Sequence, residues 1–144
     1  MDALLAAGRW RAQLHSAMRG KRGRALLHDL IAALDAMPEK RLIKGVLEQE
    51  GSVCALGAVC KHRGVELPAI AIDEESFDDE AKEWTAAMGQ ALDIAPQLAA
   101  HVMYMNDEHL LYDATPEKRW QTVRDWAQRE LERMGREHER KVQR

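Results

Sequence analysis

At 144 residues, 46% of them hydrophobic and 31% charged, the chain has the composition of an ordinary folded domain, not of a disordered or fibrous one. No apolar run approaches the ~20 residues of a bilayer crossing, and the N-terminus lacks the charged-then-apolar layout of a signal peptide, so a cytoplasmic protein without membrane attachment is expected. The net charge of −3 is polarised: residues 1–64 hold 11 Lys/Arg against 6 Asp/Glu (+5), residues 65–144 hold 10 against 18 (−8), a split that can steer partners but says nothing of fold.

Residues 3–18 read as a helix carrying Leu4, Leu5, Trp10, Leu14 and Met18. Two glycines within the basic run Arg19-Gly20-Lys21-Arg22-Gly23-Arg24 predict a flexible break. A second helix over 25–37 repeats Leu26, Leu27, Leu30, Ile31 and Leu34 at three- and four-residue spacing and stops before Pro38. Residues 41–53 are ambiguous, and the reading leans to a short strand or hairpin. Ser52 is the predicted N-cap of a helix over 53–63, closed by Gly64. A loop over 65–77, anchored by Pro68, Ile70 and Ile72, precedes helices over 78–92 and 95–105, with Asn106-Asp107-Glu108 ending the second. Thr115-Pro116-Glu117 is a helix start with cap, proline and acid in order. That helix carries Trp120, Val123, Trp126, Ala127, Leu131 and Met134 to about Gly135, and residues 136–144 are expected to fray. The fold class is therefore mainly α: one domain over 1–135, about six helices, a short hairpin within 41–53 and a charged C-terminal tail.

Cys54 draws attention first, because a thiol at a helix start is where the dipole and unpaired N–H groups favour the thiolate. As a nucleophile it needs a base and an orienting group, and the chain offers His101 followed by Asn106 and Asp107. The competing reading makes Cys54 a small buried residue beside Gly57 and Ala58. Cys54 and Cys60, six residues apart on one helix, stand ~9 Å apart along its axis and should not form a disulfide. The cysteines and six histidines match no zinc-ligand spacing, so no metal and no cofactor is expected. Arg19, Lys21, Arg22 and Arg24 could cradle phosphate or form a solvated turn. Asp73, Glu74, Glu75, Asp78, Asp79, Glu80 and Glu83, around Phe77, could face a basic partner or simply be solvated. Trp120 and Trp126 lie about 120° apart on one helix, so they cannot share a stripe, and Trp126 is the candidate for an interface.

Four blocks taken together carry a resemblance: Ala33-Leu34-Asp35-Ala36-Met37-Pro38-Glu39-Lys40-Arg41-Leu42-Ile43; Val53-Cys54-Ala55-Leu56-Gly57-Ala58; Asn106-Asp107-Glu108; and Thr115-Pro116-Glu117-Lys118-Arg119-Trp120 with Arg124-Asp125-Trp126. Over roughly residues 24–131 the chain resembles a family of small uncharacterised proteins of proteobacterial genomes, phages and other mobile elements. A looser likeness reaches phage proteins with a cysteine-leucine-glycine box and a later Asn-Asp pair. The resemblance implies a mobile-element setting, in which small proteins bind and inhibit host components, and it implies that the Cys54 box, Asn106-Asp107 and the Trp120 helix meet in space. The leading expectation is a non-enzymatic protein that binds another macromolecule, foremost a protein. A cysteine-dependent hydrolase or transferase built on Cys54 is the alternative, and nucleic-acid backbone binding through residues 19–24 is the second alternative.

Overall fold

The leucine stripe of the second helix lies at the centre of the molecule. The computed structural model, which describes residues 2–67, 80–107 and 114–143, has six helices: α1 (Asp2–Arg19), α2 (Lys21–Ala36), α3 (Ala55–Arg63), α4 (Glu80–Leu92), α5 (Pro96–Asp107) and α6 (Pro116–Val142). Leu26, Leu27, Leu30 and Leu34 of α2 are wholly buried. α2 packs on α1, α3 and α6, while α5 packs on α1, α3, α4 and α6. A two-stranded antiparallel hairpin, β1 (Glu48–Gln49) and β2 (Ser52–Val53), joins α2 to α3 with Glu48 opposite Val53. Its two turn residues, Glu50 and Gly51, both have positive φ (52° and 84°), the geometry that suits a two-residue hairpin turn. Among the described residues no helix is long and apolar enough to cross a membrane.

Four boundaries differ from the sequence reading, each for a physical reason. The basic run is a corner, not a flexible loop: α1 ends at Arg19, α2 begins at Lys21, and only Gly20 interrupts them. Gly23 is inside α2 and buried because the helices meet there, and a Cβ on it would overlap the Ala17 carbonyl. The N-cap of α3 is Cys54 and not Ser52, which is exposed in β2. α5 continues through Asn106 and Asp107. α6 runs past Gly135 to Val142, supported by Arg133, which bonds Glu130 at 2.6 Å and Glu137 at 2.9 Å one turn to either side.

Other signals hold as read. Thr115 Oγ1 accepts from the Lys118 N–H at 3.0 Å with Pro116 in the first turn, and Gly64 closes α3 in the left-handed region at φ 70°. Residues 68–79, with the loop anchors, the predicted start at Asp78 and most of the acidic group, lie outside the described residues, as do residues 108–113.

Candidate functional site

Residues from each of the four blocks converge on the segment between α2 and the hairpin. Leu42 N–H donates to the Pro116 carbonyl at 3.0 Å, Ile43 N–H to Val53 at 3.0 Å, and Cys54 N–H to Leu47 at 3.1 Å. Asn106, only 2% exposed, links the pieces from α5. Its Oδ1 accepts from the Ala55 N–H at 2.9 Å, and its Nδ2 donates to the Ile43 carbonyl at 2.9 Å and to Asp107 Oδ1. Asp107 Oδ1 also accepts from the Gly45 N–H at 3.4 Å. From α6, Arg119 donates to the Leu42 carbonyl at 3.0 Å and to Ala114 at 3.4 Å, while its buried Nε meets no acceptor among the described residues. Trp120 Nε1 donates to the Leu34 carbonyl at 3.1 Å, and Lys40 Nζ bonds the same carbonyl and two neighbours, so the end of α2 is closed by side chains. The Cys54 box, the Asn-Asp pair and the Trp120 helix thus form one polar knot inside an apolar core.

Within the knot Cys54 works as a cap. Gly57 N–H donates to its Sγ at 3.5 Å, and the thiol donates to Met103 Sδ at 3.7 Å. Burial pushes the thiol up to about 12, against the pull of the Gly57 and Leu56 N–H groups, so the helix start stabilises the thiolate less than desolvation penalises it. Burial raises Asp107 as well, opposed by bonds from Asn106 and Gly45 and by the charges of Lys44 and Arg119. His101 does not join them. It stands two residues before Met103, hence ~200° around α5, and its ring packs against Trp126 (5.3 Å between centroids), Trp10 (5.8 Å) and Tyr104 (5.8 Å). The thiol and the imidazole face opposite sides of α5, so the nucleophile-and-base pair considered from sequence is not assembled, whereas Asn106 and Asp107 do lie beside the cysteine.

Two consequences for Cys54 can be measured. Iodoacetamide at neutral pH should leave Cys54 unmodified in the folded protein and label it on denaturation; rapid labelling with the fold intact would restore the nucleophile reading. Because the folded thiol holds its proton more tightly than the unfolded one, its contribution to stability is complete below the ordinary value of 9.0 and is lost as pH rises toward about 12. The alkaline fall in Tm should therefore be shallower in Cys54→Ala, with the remainder shared by Cys60, also raised by burial.

Trp126, expected at an interface, is 5% exposed and belongs to the core. Among the described residues the exposed aromatics are Trp10 (39%) and Tyr104 (45%), on either side of His101. The basic corner divides its cations. Lys21 and Arg22 line one concavity with Gln13 and Gln97, while Arg19 and Arg24 line another with residues of α6. A third groove, of about 430 Å³, lies outside the knot between Met37, Ile43, Val53 and Pro116. Its rim cations are spoken for: Arg41 by Glu117 at 3.2 Å and Lys61 by Glu48 at 3.1 Å.

Sequence reasoning missed Arg119, Arg63 and the exposure of Trp10. Arg63 bonds Asp29 at 2.7 Å and the Leu92 carbonyl at 2.6 Å, tying α3 to α2 and α4. The prior signal for Arg119 was its place in the block that opens α6, and for Arg63 only its place at the end of a helical segment. Among the described residues no cluster of His, Cys, Asp and Glu could hold a metal ion. No protein-family model, curated protein or solved structure matches the chain.

Proposed function

We propose that this protein acts without catalysis, by binding a partner protein through the uncovered face of α1 and the adjoining edge of α5. The exposed pair Trp10 and Tyr104 carries this reading. Large aromatic rings half in water add little to the fold and are the residues most often found as anchors at interfaces. The apolar surface continues toward the start of α1, where Leu4 is 76% and Leu5 62% exposed. Leu4 stands fourteen residues before Met18, so at ~100° per residue the two lie within about 40° on the helix. The stripe that Met18 buries against the bundle is thus left uncovered at Leu4.

Arg9 and Arg11 flank Trp10, are exposed, and pair with no carboxylate among the described residues. The complementary partner is a protein surface with an apolar centre and an acidic rim. The resemblance to small proteins of phages and other mobile elements supports a role in occupying a host component.

A photo-crosslinking residue at position 104, introduced in the cells that express the protein, should give a discrete protein adduct that the same residue at Lys118 does not. Arg9→Glu with Arg11→Glu should cut its yield by ~10-fold or more while leaving Tm unchanged, as expected when rim charges that steer association are removed. Equal labelling from both positions, an adduct indifferent to the charge reversal, or an adduct made only of two copies of this chain would each overturn the proposal.

A further inference from the structure

Where α1 turns into α2, the end of α6 comes alongside. Arg19 and Arg24 of the corner, with His138 and Lys141 of α6, line a cavity of about 170 Å³ floored by Met134. Three of its four basic side chains are permanently charged cations, and none of these enters an ion pair among the described residues. The lone carboxylate of the lining, Glu137, is held by Arg133 at 2.9 Å. With His138 neutral the lining carries three positive charges against one negative, a local +2 on a chain whose net charge is −3.

This is not how the rest of the surface treats its arginines. Eight ion pairs occur among the described residues, shared by Arg22, Arg41, Lys61, Arg63, Arg124 and Arg133. Acidic side chains outnumber basic ones, 24 to 21, yet none among the described residues neutralises Arg19, Arg24 or Lys141. Like charges brought to one concavity repel, and an apolar floor such as Met134, 7% exposed, removes the water that would screen them from beneath. An anion relieves that repulsion.

Across the same corner, Lys21 and Arg22 line the second concavity, of about 720 Å³. There Arg22 meets Asp93 at 2.9 Å, and Lys21 pairs with no carboxylate among the described residues. One small anion can use only one of these concavities. A chain of regularly spaced phosphates can cross the corner and use both.

We infer that the α1–α2 corner, completed by the C-terminal part of α6, binds the phosphate backbone of a nucleic acid. The interaction reads charge and not sequence, since no Phe, Tyr or Trp ring lines either concavity as a stacking platform and the basic side chains are suited to phosphate oxygens. Neither concavity is lined by Trp10, Tyr104, Arg9 or Arg11, so charge reversal at the corner and at Arg9 and Arg11 tests the two proposals with different residues.

The test measures binding of a fluorescent mixed-sequence oligonucleotide, single-stranded and duplex, by the full chain across a salt series starting at about 50 mM. Binding should weaken linearly in log–log form. Arg24→Glu with Lys141→Glu should weaken it by ~10-fold or more and lower the slope by ~0.9 for each duplex phosphate no longer neutralised. Lys118→Glu with Arg129→Glu makes the same change in net charge away from the corner and should retain wild-type binding. Both pairs are exposed, and a circular dichroism melt checks that each variant folds. The inference is overturned by absence of binding at the lowest salt, by equal effects of the two variant pairs, or by inorganic pyrophosphate competing as well per phosphate as the unlabelled oligonucleotide, which would make this a small-anion pocket.

Discussion

Asn106→Ala should cost about 3–5 kcal/mol, a large share of the 5–15 kcal/mol by which domains of this kind are stable. The side chain is not large, and its removal leaves only a small void. The cost comes from what it holds. Without it the Ala55 N–H at the start of α3 and the Ile43 carbonyl lose partners 2.9 Å away in a region water does not reach. Each buried polar group left unmade costs about 1–3 kcal/mol. Asp107, whose carboxyl burial already raises, loses the donor that most opposes that effect. Asn106→Asp should fare no better, because it keeps the acceptor for Ala55 but loses the donor to Ile43 and sets a second carboxyl beside the first. Urea denaturation measures the change as a lower midpoint at unchanged slope. A cost below ~1 kcal/mol would mean that the knot is held by its apolar surroundings and not by its hydrogen bonds.

Gly57→Ala should destabilise by about 3 kcal/mol or more, the upper end of overpacking costs, although alanine is ordinarily worth ~1 kcal/mol more than glycine inside a helix. The sign reverses because of the hairpin. A Cβ at Gly57 would overlap the Leu47 carbonyl oxygen and stand 3.2 Å from Val53 Cβ. That carbonyl cannot retreat freely, since it accepts the Cys54 N–H at 3.1 Å. The cap bond from Gly57 N–H to Cys54 Sγ would be strained by the same shift. Gly135→Ala is the internal comparison: nothing lies within 4 Å of a Cβ there, so the helix-propensity gain of up to ~1 kcal/mol should appear undiminished. Thermal melts of the two variants should move in opposite directions. A Gly57→Ala protein as stable as wild type would show that α3 can slide away from the hairpin.

These two effects recast the block around Cys54. Its small residues are there for approach and capping: Gly57 admits the Leu47 carbonyl, Cys54 caps the helix, and Asn106 closes the Ala55 N–H. A thiol so enclosed, ionising only near pH 12, is far from the partly exposed, electropositive setting that makes a cysteine reactive. The surfaces proposed for interaction lie elsewhere, on the exposed face of α1 and at the corner that begins α2.

Local signals were legible wherever chain neighbours cause the structure. The leucine spacing of α2, the Thr115-Pro116 start of α6 and Gly64 after α3 act through neighbours within a turn or two, so one window of sequence contains their cause. The mainly α class and the narrow hairpin follow from the same logic. Other features join residues far apart, and no window contains both partners. Asn106 bonds residues 51 and 63 positions away, and Arg119 reaches a carbonyl 77 positions away. Cys54 looked activated because the helix dipole is a local cause; it is quenched because burial by α5 is not. Trp126 and Trp10 exchanged their expected roles for the same reason, since periodicity gives the face of a helix but not which helix covers it. Arg19 and Arg24 read as a solvated turn until α6, more than a hundred residues later in the chain, brought His138 and Lys141 beside them. By itself the sequence determined the helices and most of their ends. Packing between distant segments decided which thiol is shielded, which ring is exposed and which cations share a cavity, because burial and charge proximity are properties of neighbours in space.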